Sequence, residues 1–186
     1  MGINRKFFFD HVRQTLFQGS LSQGQVDGLD QILDYWEAEA GKKDDRWLAY
    51  ALATAHHETD KTFGPIREYG LGHGHPYGVP DPQTGQAYYG RGLVQLTWKA
   101  NYQTFSDLLK VDLVSDPDLA LDMKYAVPIM FVGMEKGLFT GKKLATYFDG
   151  PLEDWVHARR IINGLDCADA IAAFGKTFYA AISYTT

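Results

Sequence analysis

The sequence predicts a mainly α fold that carries one small irregular lobe, and three observations support this prediction. Apolar residues recur at helical spacing along most of the chain. Glycine and proline are concentrated between residues 64 and 92, where they leave no room for a long helix. The alternation of apolar and polar residues that marks half-buried strands is weak throughout. We therefore expect a single domain over residues 1–186, with the Gly/Pro-rich lobe at about 64–92.

Two helices are predicted at the start of the chain. The first covers residues 7–17, where apolar side chains share one side, and the Gly-Ser pair at 19–20 ends it. Ser22 and Gln25 have the spacing of a capping box, which predicts the start of the second helix. Gly41 is the expected stop of that helix.

The third predicted helix matters most, because it carries an acidic residue to its C-terminal end. Asp44 or Asp45 starts this helix, and Glu58 falls near its end. After the lobe, we expect helices at residues 97–109, 119–136 with a possible kink at Pro128, 142–148, 152–162 and 168–182. Four large apolar side chains at helical spacing are assigned to the core, namely Met130, Phe131, Met134 and Trp155.

Composition limits the classes of function. The net charge of -5 over 186 residues argues against nucleic acid as a partner, because nucleic acid requires a basic face. The single cysteine, Cys167, cannot form an intramolecular disulfide and has no neighbouring base to make it a nucleophile. No segment is apolar for long enough to act as a signal peptide or to span a membrane. We therefore expect the protein to be made in the cytoplasm, without stable membrane insertion.

Two carboxyl groups on either side of the boundary between helix and lobe are candidates for acid–base catalysis. Glu58 follows an apolar helix and is flanked by His57 and Thr59, which could orient it. Glu68 lies ten residues later on the irregular segment. Hydrolysis of a glycosidic bond needs one protonated carboxyl for the leaving oxygen and one ionised carboxylate to assist water. If Glu68 does not supply the second carboxylate, Asp60 or Asp166 are the alternatives.

Three motifs carry a resemblance to a known family. These are HET at residues 57–59, YYGRGLVQLT at 88–97 and INGLD at 162–166. Over about residues 45–180 the sequence resembles glycoside hydrolase family 19, which contains chitinases and many phage endolysins. The resemblance implies a lysozyme-like, two-lobed fold with a cleft between the lobes.

The resemblance also implies roles for individual residues. Glu58 would be the general acid, Glu68 the base that activates water, and Thr97 the group that helps hold this water. Gln95, Asn101 and Asn163 would line the sugar cleft, and His57 is also expected to bind substrate. Tyr89, Arg91 and Arg160 are further candidates for ligand contacts, although Arg91 could equally be structural and bond carbonyl groups or Glu58. No cofactor and no metal are expected.

Departures from the family pattern favour its phage or bacterial branch. The segment between the two glutamates is shorter than in plant chitinases, and the disulfides of the plant enzymes are absent. Ala100 replaces a tyrosine of the pattern, and Asp166 stands where glutamate is usual. We therefore expect a monomeric endolysin that hydrolyses β-1,4 bonds of bacterial peptidoglycan. Inversion of configuration is the expected outcome if the two carboxyl groups lie about 6.5–9.5 Å apart, whereas about 5–5.5 Å would imply a covalent route. A pore-forming holin would release it from the cytoplasm to the wall.

Three alternatives remain open. The first is a chitinase that acts on N-acetylglucosamine polymers. The second is a non-catalytic module that binds the cell wall through its aromatic residues. The third is a zinc peptidase that uses histidines at 56, 57, 73 and 75 with Glu58 and Asp60, although their spacing matches no zinc motif.

Overall fold

A computed structural model describes residues 2–39 and 43–185 of the chain. Within these ranges the mainly α prediction is confirmed. The α-helices are α1 (Arg5–Leu16), α2 (Gln23–Glu39), α3 (Asp45–Glu58), α4 (Lys99–Leu109), α5 (Met123–Lys136) and α6 (Ala168–Ala181). The strands are β1 (Ile66–Arg67), β2 (Arg91–Gly92), β3 (Phe148–Asp149) and β4 (Leu152–Glu153). They form two antiparallel pairs, β1 with β2 and β3 with β4.

Local capping explains where the second and third helices begin. The backbone N–H of Gln25 donates to Ser22 Oγ, and the Gln25 side chain accepts from the Ser22 N–H, so the predicted capping box is present. The Asp44 side chain accepts from the Arg46 N–H and caps α3. The predicted stop at Gly41 lies outside the described residues.

The helix predicted at 119–136 is interrupted, and α5 starts only at Met123. Pro117 opens a short 3₁₀ turn over Pro117–Leu121, and Asp122 then caps α5 by accepting from the Lys124 N–H. Pro128 lies inside α5, and Gly137 ends the helix with a left-handed φ of 72°.

The helices predicted at 142–148 and 152–162 are wrong. The chain forms two 3₁₀ turns there, Leu144–Thr146 and His157–Ile161, with the β3–β4 hairpin between them. Side chains of α3 stabilise the hairpin instead, because they bond carbonyl groups of its strands and its turn. Arg46 donates to the carbonyl oxygens of Gly150 and Leu152, each at 3.0 Å, and Trp47 Nε1 donates to that of Phe148 at 3.1 Å.

The core is built around α3, whose residues from Leu48 to His56 are all buried. Helix α6 packs along α3. It also lies close to the segment that follows β4, since a Cβ at Gly175 would lie 2.8 Å from Trp155 Cε3. One hydrophobic cluster joins side chains from the first helix to the last and contains the four core residues predicted from sequence. Within the described part of the chain, no helix has the length and apolar character needed to cross a membrane.

The predicted irregular lobe is present between α3 and α4. Its two-residue strands β1 and β2 pair Ile66 with Gly92 and Arg67 with Arg91. The loop between them folds back on itself, since a Cβ at Gly78 would lie only 2.0 Å from the Gly72 carbonyl oxygen. The lobe thus begins after the end of α3, and β2 closes it by pairing with β1.

His56 is buried in this core without a hydrogen-bond partner for either ring nitrogen among the described residues. Its ring contacts aromatic side chains, with centroids 4.4 Å from Phe174, 5.7 Å from Phe17 and 5.9 Å from Phe63. Burial, with smaller contributions from the charges of Lys61 and His57, lowers the pKa of His56 to about 4. The imidazole is therefore neutral in the folded protein at neutral pH.

We predict that His56 makes the fold sensitive to acid. Its folded-state pKa lies below the unfolded value of 6.5, so the unfolded chain binds a proton first as the pH falls. Stability present above pH 6.5 is lost as the pH falls towards about 4, by about 3 kcal/mol. Denaturant unfolding across this range should show that loss, and His56→Phe should lack it. Equal pH dependence in the two proteins would contradict this assignment.

Candidate active site

A cleft of about 260 Å³ lies where the end of α3 meets the lobe. It contains both predicted catalytic carboxyl groups. The lining residues are Glu58, Glu68, Tyr77, Gly90, Val94, Gln95, Thr97, Ile162 and Asn163. Three chain segments distant in sequence therefore meet here: the helix end, the lobe, and the turn that precedes α6.

Glu58 is the last residue of α3, and its side chain is only 14% exposed. Its Oε1 accepts a hydrogen bond from Arg159 Nη1 at 2.6 Å. The sequence had suggested an apolar setting for Glu58, whereas the structure places a buried guanidinium directly beside it. This contact fixes one carboxylate oxygen and leaves Oε2 free of that bond.

Arg159 is a site residue that the sequence analysis missed. Its side chain is 3% exposed, and it links Glu58 to Asp166 by donating from Nη2 to Asp166 Oδ2 and from Nε to the Asp166 carbonyl, each at 3.2 Å. Burial alone would lower the pKa of Arg159, but hydrogen bonds and charge attraction from Glu58 and Asp166 raise it above its ordinary value. The sequence does show the Arg-Arg pair at 159–160, but it indicates Arg160 as the ligand contact, and this side chain is exposed.

Glu68 follows β1 directly and faces the same cleft from the lobe. Its Oε1 accepts from the Tyr77 hydroxyl at 3.2 Å, and its Oε2 accepts from the Gly90 N–H at 3.0 Å. Burial and the nearby Glu68 charge raise the pKa of Tyr77, so the phenol remains a donor at neutral pH. Tyr77 is the second site residue that sequence reasoning did not identify.

Gln95 and Thr97 lie in the tight turn after β2. Gln95 has a left-handed φ of 53°, and its Nε2 donates to the Ile66 carbonyl at 3.3 Å. A Cβ at Gly90 would lie 2.7 Å from Gln95 Oε1, so a larger residue there would displace the end of the Gln95 side chain. Thr97 lines the cleft together with Gln95.

The two predicted asparagines occupy different positions. Asn163 lines the cleft, and its Oδ1 accepts from the Gly164 N–H at 2.9 Å. Asn101 lies in the first turn of α4 and is not among the lining residues. Its Nδ2 donates to the Thr97 carbonyl at 2.8 Å, so it supports the turn that carries Thr97.

Arg91 and Tyr89 do not line the cleft. The contacts of Arg91 favour the structural role over the ligand contact. Arg91 is 3% exposed, pairs with Asp118 through Nε at 2.8 Å, and donates from Nη1 to the carbonyl oxygens of Ala87 and Tyr89. Its guanidinium also lies 3.6 Å from the centre of the Tyr89 ring. With these contacts inside the lobe, Arg91 is not available to a ligand, and the prediction of a ligand contact is corrected.

The histidines do not assemble as the zinc-peptidase alternative requires. Among residues 2–39 and 43–185, the group with metal-ligating geometry consists of His57, Asp166 and Cys167. It includes neither the buried His56 nor the exposed loop histidines at 73 and 75. His57 does not line the cleft but stands next to the turn that carries Asp166.

Comparison with known sequences finds relatives that match part of the chain. Residues 72–131 match the family model described as "Chitinase class I" of the glycoside hydrolase 19 group. An acidic endochitinase of Petunia hybrida is 38% identical over 71 residues, which cover 38% of this chain and 27% of the enzyme. Chitinase 11 of Oryza sativa subsp. japonica is 62% identical over 32 residues, covering 17% and 12%. The matched segments thus span about a quarter or less of these relatives' length.

Solved structures share the fold over nearly the whole chain. Chitinase C from Streptomyces griseus HUT6037 aligns with a TM-score of 0.63 and 24% identity, covering 96% of this chain and 75% of that chain. A class IV chitinase of family 19 from Zea mays aligns with a TM-score of 0.57 and 19% identity, covering 92% and 87%. The predicted lysozyme-like fold is confirmed by these structures, and the resemblance to glycoside hydrolase family 19 is confirmed by the family model over residues 72–131.

We predict that Arg159 is required for stability as well as for the shape of the site. Arg159→Met would leave the buried Glu58 carboxylate without its partner, and this should cost about 3 kcal/mol. Arg160→Met is the matched control, because the neighbouring side chain is exposed, and it should change stability by less than about 0.5 kcal/mol. Denaturant unfolding of both variants makes the comparison. Equal losses in the two variants would contradict the assignment.

Proposed function

We propose that this chain is a chitinase-like protein of glycoside hydrolase family 19 and that it hydrolyses β-1,4 bonds between N-acetylated amino sugars. The observation that carries the proposal is that Glu58 and Glu68 line one cleft from opposite structural elements. The names of the relatives support a chitin-like polysaccharide as the class of substrate. The two carboxyl groups support acid–base chemistry on its glycosidic bonds.

The contacts of the two carboxyl groups suit different tasks. Arg159 holds Oε1 of Glu58, so in our proposal Oε2 carries the proton that is delivered to the leaving oxygen. Tyr77 and Gly90 each donate to one oxygen of Glu68. A carboxylate oxygen can accept more than one hydrogen bond, so Glu68 retains capacity to accept the proton of an attacking water.

The cleft has room for this water. A water molecule occupies about 30 Å³ in the liquid, whereas the cleft measures about 260 Å³. In the proposed reaction, water held near Thr97 attacks the anomeric carbon from the Glu68 side while Glu58 protonates the leaving oxygen. The attack and the departure occur on opposite faces of the sugar, so the configuration inverts.

Within this class of polymers we propose bacterial peptidoglycan as the natural substrate. The proposal rests on the short segment between Glu58 and Glu68 and on the single cysteine, both of which depart from plant chitinases. Chitin is the second candidate, because the relatives described above are chitinases. Both polymers contain the β-1,4 bond between amino sugars that the site would cleave.

Glu58→Gln should abolish turnover while binding persists. The amide keeps an oxygen that can accept from Arg159 but cannot donate a proton as an acid, so hydrolysis should fall by about 10²–10⁴-fold or more. Release of reducing ends measures turnover, and sedimentation with insoluble polymer measures binding. A variant that keeps both full turnover and binding would refute the general-acid role. A wild-type protein that binds without any turnover would support the non-catalytic alternative.

Glu68→Gln tests the base in the same way. The amide oxygen can accept from Gly90 and the Tyr77 hydroxyl can accept from the amide group, so the local contacts survive. We expect a loss of about 10²–10⁴-fold in kcat with little change in thermal stability. Asp107→Asn, on the exposed face of α4, serves as a carboxylate control. Full activity of Glu68→Gln would move the role to Asp60 or Asp166.

The polymer is identified by a direct competition. Purified bacterial sacculi and chitin oligomers are incubated with the protein and with Glu58→Gln, and new reducing-end sugars are identified by mass spectrometry. We expect wild-type protein to release fragments from sacculi faster than from chitin. Faster cleavage of chitin would identify chitin, rather than peptidoglycan, as the preferred substrate. If neither polymer is cleaved, the proposed hydrolysis is wrong.

A further inference from the structure

Three side chains with metal-binding atoms converge beside the cleft. His57, Asp166 and Cys167 each present one donor atom, and these three atoms lie within 4.8 Å of one another. They are of different chemical types: an imidazole nitrogen, a carboxylate oxygen and a thiol sulfur. The catalytic scheme proposed above uses neither His57 nor Cys167.

The three residues are held by ordered elements. His57 occupies the last turn of α3, and Cys167 is the N-cap of α6, the helix that packs along α3. Asp166 accepts two hydrogen bonds from the buried Arg159, one at its carboxylate and one at its backbone carbonyl. Because rigid elements carry the donors, a cation would need little rearrangement of the backbone.

The thiol is accessible and is not used by the fold. Cys167 is exposed, and its side chain makes no capping hydrogen bond to α6. Asp166 is exposed as well, while His57 is partly buried. A cation can therefore reach the three donors from solvent, and water can complete its coordination.

We propose that His57, Asp166 and Cys167 bind a thiophilic divalent cation, for which Zn²⁺ is the best match. Zinc accepts nitrogen, oxygen and sulfur ligands at about 2.0–2.3 Å in tetrahedral geometry, which places ligand atoms about 3.3–3.8 Å apart. The three donor atoms, now within 4.8 Å of one another, would have to draw together to this spacing when the ion binds. Magnesium and calcium are disfavoured, since they prefer sites built from oxygen ligands alone.

The site would be coupled to the cleft through one residue. Asp166 is shared with Arg159, whose guanidinium in turn holds Glu58. A cation bound to Asp166 competes with Arg159 for the same carboxylate and adds positive charge close to this chain of contacts. The site thus acts as an inhibitory one, and this part of the inference rests on the proposed function, whereas cation binding does not.

Binding is tested by titration of the reduced, untagged full chain with Co²⁺ and then Zn²⁺. Thiolate coordination of Co²⁺ gives a charge-transfer absorption in the near ultraviolet, and Zn²⁺ should abolish it at one equivalent. Cys167→Ser and His57→Ala should each lower affinity at least about 10-fold. His73→Ala and Asp169→Asn are matched controls with an exposed imidazole and an exposed carboxylate, and both should bind as wild type does.

A second variant at Cys167 controls for the possibility that loss of binding reflects misfolding. Cys167 has a left-handed φ of 56°, so Cys167→Gly removes the sulfur at a position where glycine is well tolerated. Absence of the thiolate absorption in wild type, or equal Zn²⁺ affinity in wild type, Cys167→Gly and His57→Ala, would overturn the proposal.

Hydrolysis provides a separate readout. Saturating Zn²⁺ should lower turnover by about 5-fold or more in wild type and not in Cys167→Gly, with recovery after chelation. If Zn²⁺ binds but does not lower turnover, the proposed coupling to Arg159 is wrong and the cation site stands. A wild-type protein that binds Zn²⁺ but hydrolyses no polymer would refute the proposed function and leave cation binding intact.

Discussion

The buried guanidinium of Arg159 is the constraint on which the cleft depends. It joins the end of α3, through Glu58, to the turn before α6, through Asp166. A buried positive charge requires such partners, because the cost of removing it from water is recovered only by close pairing. The contacts of Arg159 therefore link the end of α3 to the turn before α6, and they orient the Glu58 carboxyl group that faces the cleft.

A second arginine performs a comparable task in the lobe. Arg91 bonds Asp118 and the carbonyl groups of the loop, and it lies against the ring of Tyr89. These contacts organise a segment that has only two residue pairs of sheet. Gly90 precedes Arg91 and donates its N–H to Glu68, so the rigidity of the loop fixes the second carboxylate.

Much of the fold and the site was accessible from sequence because the evidence for it was local. Capping at Ser22 and Asp44, and the apolar stripe that ends at Glu58, are determined within one or two turns of helix. The β3–β4 hairpin was missed because its carbonyl groups are satisfied by Arg46 and Trp47 of a distant helix. Arg159 was missed for a related reason, since only the tertiary fold distinguishes its buried side chain from the exposed one that follows.

The central claim is that Glu58 and Glu68 divide proton donation and water activation across one cleft. The configuration of the first product tests this claim most directly. Proton NMR during the first turnovers of a soluble β-1,4-linked amino-sugar oligomer should show the new reducing end as the α-anomer, which mutarotates later. Initial appearance of the β-anomer would mean that water does not attack the sugar directly, because a carboxylate or the substrate's own acetamido group attacks first, and it would contradict the account.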